Sequence, residues 1–202
     1  MTIYTIVNDL IDESSGSLND DAIWSILSPA AILQGGNPYF VPDFSTRFEA
    51  RSAVAVRIGR LGKGIARRFA SRYVDAVAPA ILFVASELLE RLREKGLPWT
   101  PAINYDRCLA IGRFRNVPYE EIPDSRIGLK IKDKDNHVIA EKVESLVSID
   151  IGAVIEMLSR DNTFKTGDII LVATGGHGPT ASPGFCATLT LDGEDSLRFN
   201  IR

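Results

Sequence analysis

Glu49 and Arg51 stand two residues apart at the head of an apolar run, Ser52-Ala-Val-Ala-Val-Arg-Ile58. If the strand reaches back to them, period-two alternation puts both on one face, where a salt bridge is expected between them or to a neighbour. The run itself carries no carboxylate. His177 lies between Gly176 and Gly178 in Ala173-Thr-Gly-Gly-His-Gly-Pro179, and an imidazole on a glycine-rich loop can serve as an acid or a base. That loop lacks the Gly-Lys-Ser/Thr ending of a phosphate loop, and Gly59-x-x-Gly-x-Gly64 has the wrong spacing for a dinucleotide fingerprint. His137 opens a hairpin strand and reads as a solvent-facing turn residue. Cys108 and Cys186 make no C-x-x-C pair and read as buried or spectator thiols in a reducing cytosol.

These side chains need strands to hold them. Thr2 to Val7, Ala30 to Leu33, Ala53 to Ile58, Val77 to Val84 and Ile169 to Ala173 read as strands. Pro79 points to a bulge or an edge in the fourth of these. Arg126 to Lys132 alternates Ile127, Leu129 and Ile131 with polar residues, turns at 133–136 and returns over His137 to Val143, as a hairpin does. Two further strands flank Asp192-Gly193. Helices are expected over Asp21 to Leu27, Ala66 to Tyr73, Ser86 to Lys95 with Ser86 as N-cap, and Ser148 to Leu158. Residues 8–21 read as a polar loop. The pattern is that of an α+β, strand-rich fold.

At 202 residues the chain fits one domain, 1–202, whose first 38 residues are the most divergent part. A net charge of -3 gives no general attraction to nucleic acid or anionic lipid. The stretch Arg57, Arg60, Lys63, Arg67, Arg68, Arg72 is locally basic, but nucleic-acid binding calls for a larger net-basic surface. No apolar run is long enough to span a membrane, and Met1 to Val7 lacks the features of a secretion signal, so a cytoplasmic protein is expected.

Six blocks, in order, resemble small bacterial members of the fumarylacetoacetate hydrolase family: Tyr39-Phe-Val-Pro-Asp-Phe-Ser45, Val56-Arg-Ile-Gly-Arg-Leu-Gly-Lys63, Arg68-Phe-Ala-Ser-Arg-Tyr-Val-Asp75, Lys95-Gly-Leu-Pro-Trp99, Ile111-Gly112 and Phe164-Lys-Thr-Gly-Asp-Ile-Ile-Leu171. The resemblance implies a mixed β-roll or β-sandwich with a few short helices, and a homodimer or a heterodimer with an active family member. It also implies a divalent metal that holds a β-diketo or 2-oxo acid and stabilises an enolate.

The metal ligands of the family do not carry over. Its Glu-x-Glu pair falls on Arg51 and Ala53, its third carboxylate on Leu82, and its lysine on Ile103. Glu49 replaces the histidine ahead of the Glu pair. Glu87 keeps a carboxylate where the family has Asp, and Thr174 matches the threonine of the substrate-facing loop. A divalent ion needs several oxygens. Beside Arg51 it would instead be repelled by about 8 kcal/mol, at about 4 Å and an effective dielectric near 20. No metal cofactor is therefore expected.

The leading expectation is a metal-free paralogue without the standard activity, acting in binding or as a dimer partner. The alternative is a hydrolase, isomerase or tautomerase of a small 2-oxo or β-diketo acid with a rearranged site. The catalytic candidates are then Glu87, His177 and Lys63, and a small carboxylic acid would be held by Arg51, Lys63, Thr174 and Asn104.

Overall fold

The computed structural model describes residues 1–6, 23–174 and 176–202. The loop expected over 8–21 lies outside them.

Eleven strands among the described residues form two sheets. β1 is Ile3–Ile6, β2 Trp24–Leu27, β3 Ile32–Leu33, β4 Phe48–Ile58 and β5 Val74–Ala85. β6 is Leu109–Ile111, β7 Arg126–Lys132, β8 Val138–Ser145, β9 Ile169–Ala173, β10 Cys186–Leu191 and β11 Glu194–Asn200. The seven-stranded sheet runs β2-β1-β9-β4-β5-β6-β3, and the four-stranded sheet runs β11-β10-β7-β8. Two pairs, β1 with β9 and β3 with β6, are parallel; the other pairs are antiparallel. Two α-helices are present among the described residues, α1 at Ser86–Glu94 and α2 at Ile151–Asp161.

β4 explains the layering. Its residues alternate between two apolar clusters, as period two requires. Ala53 and Ala55 face one cluster, with Leu129, Ile131, Ala187 and Leu189 of the four-stranded sheet. Val54, Val56 and Ile58 face the other, with Val154, Ile155 and Leu158 of α2. Across from Ala53 and Ala55 stand Ala80 and Ala78 on β5. Four methyl groups leave room for the second sheet to approach closely.

Most of the expected elements are present. The hairpin of β7 and β8 turns through Asn136 in the left-handed region (φ 70°), and His137 is exposed there, with Nδ1 3.2 Å from Asp133. Asp192 and Gly193 both have positive φ (53° and 83°), which suits the two-residue turn between β10 and β11. Cys108 is buried, its Sγ 3.3 Å from the carbonyl oxygen of Ile103, and burial pushes its thiol up to about 11.

Several expectations are corrected. The helix expected to end at Leu27 is instead β2 over Trp24–Leu27, because it pairs with β1 from Ile6↔Trp24 to Ile3↔Leu27. Tertiary pairing overrides local propensity. Arg67–Arg72 is a 3₁₀ helix. The helix expected from Ser148 starts at Ile151, where the Asp150 carboxylate accepts from Ala153 N at 2.9 Å. Ser86 is not an N-cap; Ala85 holds that position, and the Ser86 hydroxyl instead accepts from Arg47 Nε at 2.7 Å. β5 is neither bulged at Pro79 nor an edge, since it lies between β4 and β6. Pro79 is tolerated because its carbonyl accepts from Gly112 N (2.8 Å), just past the end of β6. Its missing donor therefore faces the margin of the sheet rather than a full ladder.

Candidate functional site

β4 reaches back to Phe48, so Glu49 and Arg51 are strand residues on one face. They form the expected ion pair, with Arg51 Nη2 3.2 Å from Glu49 Oε2, and both are buried, at 4% and 5% exposure. Arg47 continues the alternation toward the N-terminus. Its Nε lies 3.6 Å from Glu49 Oε1, and its Nη2 donates to Glu90 of α1 at 2.5 Å.

The glycine-rich loop completes the site. β9 pairs with β4 from Ala53↔Ala173 to Arg57↔Ile169, and Thr174 N extends the ladder by donating to Ser52 O. Pairing resumes where Ala50 N donates to Pro179 O and Thr180 bridges Glu49. A regular ladder would place residue 176 opposite Ala50, so the loop carries extra residues here, and the bulge brings His177 over Glu49. His177 Nδ1 is 2.9 Å from Glu49 Oε2, while the imidazole remains 58% exposed. Gly178 makes this possible: a Cβ there would stand 1.9 Å from Ala50 O. Gly178→Ala is expected to push the loop off β4. The check is by NMR, as a shift of the His177 ring resonances with the rest of the spectrum unchanged.

Burial alone would raise the Glu49 carboxyl. The His177 hydrogen bond and the Arg51 and His177 charges outweigh it and hold the group below its usual range. An ionised Glu49 accepts a proton donor at Nδ1, which fixes the imidazole tautomer and makes Nε2 the basic nitrogen. The arrangement is a buried carboxylate orienting a half-exposed base.

The structure brings together only part of the expected set. Arg51 and His177 meet on Glu49. Thr174 opens the same loop, but its hydroxyl is hydrogen-bonded to Glu144 of β8, which also pairs with Lys142. Glu87 lies on α1, where it accepts from Ser45 at 3.3 Å and from Arg91 at 2.6 Å and does not touch His177. Asn104 is used in the scaffold, accepting from Ser28 N at 3.0 Å and donating to Ile26 O at 3.3 Å. Lys63 is exposed, five residues beyond the end of β4 at Ile58, and does not join the site. A separate groove of about 820 Å³, lined by Arg67, Arg68, Tyr119 and Asp150, contains none of these residues. Arg47 and Glu90 were missed; the spacing Arg47-x-Glu49-x-Arg51 was the available signal for the first.

The positions that the resemblance sets against the family's metal ligands lie side by side. Arg51 stands directly opposite Leu82 in the β4–β5 register, and Ala53 lies two residues along on the same face, opposite Ala80 on β5 and Ala173 on β9. Ala53, Leu82 and Ile103 belong to one apolar cluster, each at most 1% exposed. No helix among the described residues is long and apolar enough to cross a membrane.

The mitochondrial oxaloacetate tautomerase FAHD1 of Mus musculus is 26% identical over 198 residues, covering 96% of this chain and 87% of that protein. The mitochondrial oxaloacetate decarboxylase of Dictyostelium discoideum is 27% identical over 179 residues, covering 84% and 78%. Among solved structures, fumarylpyruvate hydrolase from Pseudomonas aeruginosa in complex with Mn²⁺ and pyruvate superposes with a TM-score of 0.80 at 17% identity, over 100% of this chain and 89% of that one. The family described as fumarylacetoacetate (FAA) hydrolase C-terminal matches residues 13–199. That match runs from before β2 to the penultimate residue of β11 and takes in the Glu49–Arg51–His177 site, and the chain belongs to the fumarylacetoacetate hydrolase family.

Proposed function

We propose that this family member is an enzyme that moves a proton on a small 2-oxo acid, interconverting its keto and enol forms through His177. The carrying observation is the half-exposed imidazole hydrogen-bonded to buried Glu49. Relatives named for oxaloacetate tautomerisation and decarboxylation support a 2-oxo acid as substrate and favour an enzyme over the purely non-catalytic partner expected first. The fumarylpyruvate hydrolase neighbour holds pyruvate, itself a 2-oxo acid.

Among the substrate's σ bonds, only C–H and O–H bonds are made or broken. His177 Nε2 takes the proton from the carbon next to the keto group. The C–H electron pair becomes a C=C bond, the carbonyl π pair moves to the oxygen, which is protonated in turn, and no carbon–carbon σ bond is broken. Glu49 stabilises the imidazolium that forms in between. Arg47 is the half-exposed cation at the rim, and its exposed pair with Glu90 is weak enough for a substrate carboxylate to replace.

A divalent ion does not fit the residues that the family resemblance sets at its ligand positions. Arg51, Ala53 and Leu82 offer a cation and two hydrocarbon side chains where a divalent ion needs oxygens. No step is assigned to a metal.

The test follows the decay of oxaloacetate enol by ultraviolet absorbance, with EDTA present. An EDTA-resistant acceleration that His177→Ala removes is the expected result. Rates equal to buffer for oxaloacetate and for acylpyruvates sink the proposal. A second reading, binding without turnover, is favoured by the apolar filling at Ala53, Leu82 and Ile103. Saturable stabilisation by pyruvate or oxaloacetate with no enol turnover selects it.

A further inference from the structure

We infer that Arg51 is a resident cation standing in for a divalent ion, so that Glu49 stays ionised and His177 stays oriented with no metal bound. The inference deepens the reading above: it concerns the same site, but it does not depend on turnover.

Position is the first support. Arg51 lies at one of the positions matched to the family's metal ligands, opposite Leu82 at another and one step from Ala53 at a third. The three residues are neighbours on one face of the sheet, where they present one cation and two apolar groups.

Charge is the second. Glu49 is 5% exposed, and a carboxylate buried that deeply needs a counter-ion. Arg51 provides it at 3.2 Å, from a side chain that is itself 5% exposed. Arginine does not release its proton, so this counter-ion is permanent and needs no supply of metal.

Geometry is the third. One carboxylate oxygen, Glu49 Oε2, contacts both Arg51 Nη2 and His177 Nδ1. The cation thus fixes the very oxygen that orients the imidazole. A metal at that oxygen would compete with Arg51 for it and would face the Arg47 guanidinium as well.

Mn²⁺ is the probe. Wild-type protein dialysed against EDTA is titrated with Mn²⁺ while the His177 ring resonances are followed by NMR and bound metal is counted by elemental analysis. No stoichiometric Mn²⁺ and no saturable broadening at His177 is the expected result. In parallel, Arg51→Met is expected to lower the melting temperature, and Glu49→Gln with Arg51→Met to melt above Arg51→Met alone, because removing the carboxylate removes the need for the cation. Saturable Mn²⁺ binding that broadens His177 overturns the inference. So does an Arg51→Met protein that melts with wild type, or a double variant whose losses simply add. If Arg51→Met does not fold, a double variant that does fold is the expected outcome, and one that also fails overturns it. A metal-silent protein with no turnover sinks the reaction reading and leaves this one standing; EDTA-resistant turnover by a protein that also binds Mn²⁺ stoichiometrically and broadens His177 does the reverse.

Discussion

Glu49→Gln is expected to lower the stability of the fold by about 3–5 kcal/mol, the usual cost of removing one partner from a buried ion pair. Gln is isosteric and can still accept from His177, so the loss isolates the charge. Arg51 would remain 4% exposed and would lose its contact with the Glu49 carboxylate. For a domain of this size the melting temperature should fall by on the order of 10 °C. The pH dependence has a definite sign. The native Glu49 carboxyl is held below its ordinary range by His177 and Arg51 against the opposing effect of burial. Its contribution is therefore complete above the unfolded-state value and is lost as pH falls through the depressed native value. Urea midpoints of wild type and variant should lie far apart at neutral pH and converge in acid. Equal midpoints at neutral pH would mean that the pair contributes nothing.

How much of this was legible follows from the range of each interaction. Glu49 and Arg51 are two positions apart, and period two alone predicts their shared face and their ion pair. The β7–β8 hairpin and the Asp192-Gly193 turn are likewise local and were read correctly. Trp24–Leu27 was misread as helix because its partner strand, β1, lies on the other side of residues 8–21. Lys63 is expected beside Arg51 as a second cation for a carboxylate, yet β4 ends at Ile58 and Lys63 lies beyond it. The decisive contact, His177 on Glu49, spans 128 positions and depends on a bulge that Gly178 permits. A lone histidine among glycines marks a loop, but nothing local says which carboxylate it will meet. Only the family resemblance singles out Arg51, Ala53 and Leu82 as a set, and the β4–β5 register places them side by side.

His177→Ala is expected to do the opposite of Glu49→Gln: to remove turnover while sparing the fold. Positioned general bases contribute roughly 10²–10⁴-fold, so the accelerated enol decay should fall by that factor. Stability should change by about 1 kcal/mol or less, because the imidazole is 58% exposed and Glu49 keeps both Arg47 and Arg51. The gap left by the ring opens to solvent, so added imidazole should restore part of the rate. A purely structural histidine would show neither the selective loss nor the rescue. Taken together, the two variants divide the site by function. If Glu49 positions and His177 transfers the proton, Glu49→Gln lowers both stability and rate, whereas His177→Ala lowers the rate alone. If His177→Ala melts well below wild type and imidazole restores nothing, the loop is a strut on β4, and the base must be sought elsewhere.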